Sequence, residues 1–220
     1  MLKRLVFLLI LKYQYILFVT LYFFISPFVK KDRDTWVIGL EEIASVLINM
    51  AGALPKSYSV NLFQHPFYNF NYDYSINGRS AIKYIILGPL LFAYLAAKYD
   101  KFIYIGAKGF LLSMSDAREL EFSFLHKKGK KIVCYFTGSE IRSFKLLNNY
   151  AKKHDLDVIT TYQGYVRPEL QSQSEEVYRE KLARVAEKYS SVIFNPAIDQ
   201  MSYFKKQTES CLYFCPEEIG

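Results

Sequence analysis

Three short apolar runs in this chain each close on a glycine: Trp36-Val-Ile-Gly39, Phe102-Ile-Tyr-Ile105 ahead of Gly106, and Lys131 to Thr137 ahead of Gly138. A run that is apolar at consecutive rather than alternate positions belongs to a strand covered on both faces, as strands of a parallel sheet are. Between these runs the period lengthens. Ile43, Val46 or Leu47, Met50 and Leu54 recur at helical spacing until Pro55, and Ala117, Leu120 and Phe124 do so again. Tyr178, Leu182, Val185 and Tyr189 are spaced four, three and four. Tyr58–Phe63, Asp157–Tyr162, Ser191–Phe194 and Leu212–Phe214 supply further strand candidates. Strands that alternate with helices need crossover connections. The predicted class is therefore α/β, with a single Rossmann-like, mostly parallel sheet, helices on both faces, and ligands collecting at the carboxyl ends of the strands.

Two stretches stand outside that rhythm. His65 to Gly78 is rich in Tyr, Asn and Phe and reads as a long surface loop. Ser80 to Tyr99 is strongly apolar, and Gly88-Pro89 marks it as a kinked or broken helix packed on the sheet rather than a membrane span.

Residues 1–34 form an apolar N-terminal helix ahead of a domain at 35–220. Leu5 to Leu11 is wholly apolar, and Tyr13 to Val29 runs 17 residues without a charge, at the lower limit for crossing a bilayer. Gln14, Thr20, Ser26 and Pro27 count against a clean span, and no small-residue cleavage site marks a signal peptide. Two readings stand: a membrane anchor or monotopic helix, and an extension packed on the domain. Lys30, Lys31 and Arg33 against Lys3 and Arg4 lean towards a cytoplasmic location, at the cytoplasmic face of a membrane.

The net charge of +7 suits phosphates, nucleotides or anionic lipid. No basic face is interleaved with aromatics, so nucleic acid is not an expected partner. Cys134, Cys211 and Cys215 make neither a disulfide framework nor a zinc spacing, and no metal is expected. The Walker, dinucleotide and nucleophile-elbow motifs are all missing.

Candidate chemistry therefore concentrates at the strand ends. Gly138, Ser139, Glu140 and Arg142 form a corner where the glycine permits close approach, Ser139 is a candidate helix cap, and free helix amides suit a phosphate or sugar hydroxyl. Gly106, Lys108 and Gly109 form a second corner with a cation in reach. Gly39 and Glu42 close the first strand, and Glu41 and Glu42 equally suit a helix N-terminus. His65 and Glu140 are the candidates for general base, beside ordinary loop and first-turn roles.

Trp36-Val-Ile-Gly-Leu-Glu-Glu-Ile-Ala44, Phe102-Ile-Tyr-Ile-Gly-Ala-Lys-Gly-Phe110, Ile132-Val-Cys-Tyr-Phe-Thr-Gly-Ser-Glu-Ile-Arg142 and Tyr189-Ser-Ser-Val-Ile-Phe-Asn-Pro196 together resemble the N-terminal, acceptor-side half of GT-B fold glycosyltransferases. Glu140 stands where that family commonly has Asp. The resemblance implies transfer of a sugar from a nucleotide-sugar co-substrate, with no other cofactor, to a glycan or lipid-linked acceptor in surface polysaccharide synthesis. The family's donor-binding half has no counterpart here, so a separate donor-domain subunit and inactivity of this chain alone are expected. The competing expectation is a non-catalytic, membrane-associated α/β binding or scaffold module.

Overall fold

The computed structural model describes residues 2–63, 68, 70–76, 81–156, 167–195 and 201–210. In chain order these form α1 (Leu2–Ile25), β1 (Asp32–Glu41), α2 (Val46–Ala53), β2 (Ser57–Phe63), β3 (Tyr74–Ser75), α3 (Ala81–Lys98), β4 (Tyr99–Ile105), α4 (Glu119–Lys127), β5 (Lys131–Tyr135), α5 (Phe144–His154), α6 (Gln173–Tyr189) and β6 (Val192–Phe194). The six strands make one sheet in the order β3-β2-β1-β4-β5-β6, and every pair is parallel. The class expected from the apolar runs holds.

Side chains alternate across the sheet as the pleat requires. Phe102, Tyr104, Ile132 and Cys134 enter one core with α1, α3, α4 and α6, through Phe18, Phe92, Phe122 and Leu182. Ile38, Ile103, Ile105, Val133 and Tyr135 enter the other, against Val46 and Leu47 of α2. Complete burial of each such side chain contributes about 1.5–3 kcal/mol. Because β2 lies on one side of β1 and β4 on the other, the chain reverses direction there. In open α/β sheets of this order the ligand crevice is expected at that point, between the carboxyl ends of β1 and β4.

The structure moves several predicted boundaries. Helix α2 starts at Val46 rather than near Glu41, because Ala44 and Ser45 take positive φ in a turn that lets Glu42 reach back to the helix amides. Inside the stretch expected to be loop, Tyr74 and Ser75 pair with Val60 and Asn61 as an edge strand too short to show a period. Asp73 anchors it, accepting from the Ser59 amide and hydroxyl, each at 2.7 Å. Helix α3 runs without interruption through Gly88-Pro89. The strands expected at Asp157–Tyr162 and Leu212–Phe214, and the candidate base His65, lie outside the described residues.

The continuity of α3 explains a polar residue in α1. Pro89 has no N–H to offer the carbonyl of Ile85 one turn earlier. The Gln14 side-chain amide donates to that carbonyl instead, at 3.1 Å, while its oxygen accepts from the Leu112 amide at 2.8 Å. Gln14 is fully buried, in a stripe with Leu11, Phe18 and Tyr22 spaced three, four and four. The ring of Phe18 stacks on Phe92 at 4.2 Å and meets Phe124 edge-on at 4.6 Å. Helix α1 is thus bound to the domain by a designed polar contact and an aromatic cluster.

Candidate functional site

Strands β4 and β5 pair in register from Lys101 with Lys131 to Ile105 with Tyr135, so Gly106 and Gly138 leave the sheet on the same rim. Gly106 has φ +71, and its amide donates to the Tyr135 carbonyl at 2.9 Å. A β-carbon there would stand 3.2 Å from Ile43 and 3.6 Å from a Glu41 carboxylate oxygen. Gly106 is therefore buried directly against the end of β1 and the residues that follow it. Lys108 extends the same loop towards β2, with Nζ 5.4 Å from the centre of the Phe63 ring. A carboxylate, a cation and an aromatic face thus lie at the carboxyl edge around the crevice.

The loop that carries Gly106 is fixed from below by buried side chains. The Arg118 guanidinium donates to the carbonyls of Gly106 and Lys108 at 3.1 and 3.4 Å and lies against the Phe122 ring at 4.7 Å. Glu121 accepts from the Phe110 and Leu111 amides at 3.2 and 3.1 Å, and from the Tyr104 hydroxyl at 2.6 Å. The Tyr84 hydroxyl lies 3.0 Å from the Gly109 carbonyl and 2.5 Å from that of Leu111. Gln14 holds the next amide, Leu112. Gln14, Tyr84, Arg118 and Glu121 together hold the amides of Phe110, Leu111 and Leu112 and the carbonyls of Gly106, Lys108, Gly109 and Leu111, which preorganises this part of the turn. Burial, opposed by these hydrogen bonds and by Arg118, lifts the Glu121 carboxyl to about 7. Burial and the adjoining Glu121 charge push the Tyr104 hydroxyl far up, so it remains a donor.

The residues singled out from sequence divide accordingly. Lys108 is half-buried at the carboxyl edge beside Phe63, and Gly106 is buried beneath it against Ile43. Gly109 turns away from that edge, since a β-carbon there would stand 2.7 Å from Glu121 and 3.2 Å from Arg118. Gly39 sits within the sheet, where a β-carbon would meet the Val60 carbonyl at 2.5 Å. Glu42 is buried as a helix cap, accepting from the Leu47 and Ile48 amides at 3.1 Å each and from the Tyr72 hydroxyl at 3.0 Å. Of the two adjacent acids, Glu41 is the one at the crevice.

The second corner is more closed than its composition suggests. Helix α5 begins after Ser143, whose hydroxyl accepts from the Leu146 amide, so Ser139 is an exposed turn residue and not the cap. The helix-end amides of Phe144 and Lys145 are taken by Glu176 of α6, at 2.9 and 3.3 Å. Burial works to raise that carboxyl, but the Tyr203 and Ser143 hydroxyls, the Lys145 amide and Arg179 prevail and hold it below its ordinary range. Glu140 folds back on Thr137, accepting from its amide at 2.5 Å and its hydroxyl at 3.0 Å. Arg142 is buried. A protein carboxylate therefore occupies the anion position expected at this helix start. Gly138 remains on the rim.

Burial pushes the Cys134 thiol up, leaving it protonated and unsuited to attack. Among the described residues no cluster of three or more His, Cys, Asp or Glu has metal-binding geometry. A hollow of about 420 Å³ lined by Asn148, Lys152 and Gln171 lies at the far end of α5. Comparison of the chain with models of protein families, with curated proteins and with solved structures finds no match.

Proposed function

We propose that this chain is the acceptor-binding part of a sugar-transferring system, taking a glycan or lipid-linked sugar phosphate into the crevice between β1 and β4. The observation that carries the reading is the placement of Gly106 at the reversal point of an all-parallel sheet, facing Glu41, with Lys108 and Phe63 beside it. Open α/β sheets bind ligands at that point. Lys108 meets a phosphate, Phe63 offers an apolar face to a sugar ring, and Glu41 accepts from a sugar hydroxyl. In the transfer, the acceptor hydroxyl oxygen bonds to the anomeric carbon of a nucleotide sugar as the nucleoside diphosphate departs with the bonding pair. The hydroxyl proton passes to a carboxylate, the role we give Glu41.

Titration calorimetry with polyprenyl diphosphate-linked sugars, followed by a radiolabelled transfer assay with and without a supplied donor half, tests this. Binding that Lys108→Ala weakens at least tenfold, the loss of about one charge-assisted contact, supports the reading. Absence of both binding and transfer removes it.

A second reading, a binding module without chemistry, is favoured by one observation. Glu42, Glu121, Glu140 and Glu176 all accept hydrogen bonds from backbone amides. Acceptor binding that never leads to transfer, whichever donor half is supplied, would select it.

A further inference from the structure

Helices α1 and α3 share one core on the same side of the sheet, yet each presents an apolar stripe to solvent. On α1 the stripe is Leu5, Leu9, Tyr13, Ile16 and Phe24; on α3 it is Ile82, Ile86, Leu90 and Tyr94, one residue per turn. Ile16, Phe24 and Ile82 are 66, 73 and 70% exposed. Isolated exposed leucines mean little, but two regular stripes on adjoining helices mark a surface built to be covered.

Charge identifies what covers it. Residues 1–31 and 74–99, which contain both helices, carry eight Lys and Arg and no Asp or Glu. The rest of the chain has 20 basic against 21 acidic side chains, so the whole net charge of +7 resides in the two segments with the apolar stripes. Lys12 and Lys83 are exposed on the helices themselves, with Lys30 and Lys31 just beyond α1. Apolar stripes on helices that carry cations and no acid match a bilayer with anionic headgroups, where long lysine stems reach outward from a buried helix. A second copy of this chain would bring the same positive frame against itself.

We propose that the protein docks on an anionic phospholipid bilayer through the exposed stripes of α1 and α3, with α1 lying in the interface rather than crossing it. At 24 residues and about 36 Å, α1 is long enough and apolar enough to span. Spanning, however, would withdraw Phe18 and Tyr22 from the aromatic cluster. It would also leave the Gln14 side chain, the Ile85 carbonyl and the Leu112 amide without their bonds. Lying flat keeps all of these and buries only the outer stripe. The same bonds connect α1 and α3 to the loop of Gly106 to Leu112, so docking sets the crevice beside the headgroups. The inference stands apart from the sugar-transfer reading, because its test uses lipid alone.

The test is flotation of the full chain with vesicles of phosphatidylcholine, with and without phosphatidylglycerol. Strong flotation on the anionic vesicles, reduced roughly tenfold or more on the neutral ones, is expected. The combined variant Ile82→Glu, Ile86→Glu, Leu90→Glu should keep its circular dichroism and melting transition yet stay at the bottom of the gradient. Depth is read by bromolipid quenching of single tryptophans at Leu9, Ile16 and Phe24 in a Trp36→Phe background. Equal, shallow quenching at all three supports the in-plane helix. Deep quenching at Ile16 with shallow values at the ends means that α1 spans, and overturns the proposal. No flotation, equal flotation on both compositions, or flotation of a folded triple variant overturns it as well.

Discussion

Replacing Gln14 with leucine removes one side chain and strands two backbone groups on other elements. The Leu112 amide loses its acceptor, and the Ile85 carbonyl loses the donor that stands in for the missing N–H of Pro89. Each buried group left without a partner costs about 1–3 kcal/mol, so Gln14→Leu is expected to destabilise by roughly 2–5 kcal/mol after the gain of an apolar side chain. The source of that cost is separable. In Pro89→Ala the residue at 89 recovers an N–H that can bond the Ile85 carbonyl within α3, so one of the two groups no longer depends on Gln14. In that background Gln14→Leu should cost about 1–2 kcal/mol less than in the parent. Urea unfolding followed by far-ultraviolet circular dichroism, with the four proteins compared at equal m-value, measures the coupling. Additivity within about 0.5 kcal/mol would refute the argument that Pro89 creates the need for Gln14.

Glu121, lifted by burial from 4.5 to about 7, binds a proton in the folded state that the unfolded chain has already released across that window. Stability should fall as pH rises from about 4.5 to about 7 and level off above, by roughly 3 kcal/mol in all. Glu121→Gln should remove that slope, and a parent-to-variant difference that stays constant with pH contradicts the assignment. Gly109→Ala places a methyl against the Glu121 carboxylate and should cost about 1–3 kcal/mol in thermal or urea unfolding; a neutral result would mean that the loop is loose. Glu42→Ala orphans two amides at the start of α2 and should cost about 1–3 kcal/mol, with hydrogen exchange accelerating first at Leu47 and Ile48.

The sheet was legible because its strands are apolar at consecutive positions; Gly106 directly follows β4, whereas Gly39 lies inside β1 and Gly138 comes three residues after β5. Edge strand β3 was not legible, since two residues carry no period. The site was legible in outline. Gly106 and Lys108 lie where strand-end logic puts them, whereas Glu42, Gly109, Ser139 and Arg142 serve the fold or lie away from the crevice. Local spacing could not tell which of two adjacent acids turns inward, because that depends on amides five and six residues ahead. Nothing in the local spacing marks Arg118 and Glu121 as buried. Their burial comes from the meeting of α4 with the β4 loop, a contact no local window contains. Gln14 in an apolar helix and Pro89 in another were each visible as exceptions, and a buried glutamine facing an interrupted helix was the signal that would have joined them.

The central claim is that the ligand site lies between the carboxyl ends of β1 and β4. Backbone nuclear magnetic resonance of the full chain, titrated with a short-chain polyprenyl diphosphate-linked disaccharide, tests it most directly. The account predicts shifts concentrated at Glu41, Gly106, Ala107, Lys108 and Gly138, and lost in Lys108→Ala. Shifts centred instead on Asn148 and Lys152 at the far end of α5, or no shifts at saturating ligand, would contradict it.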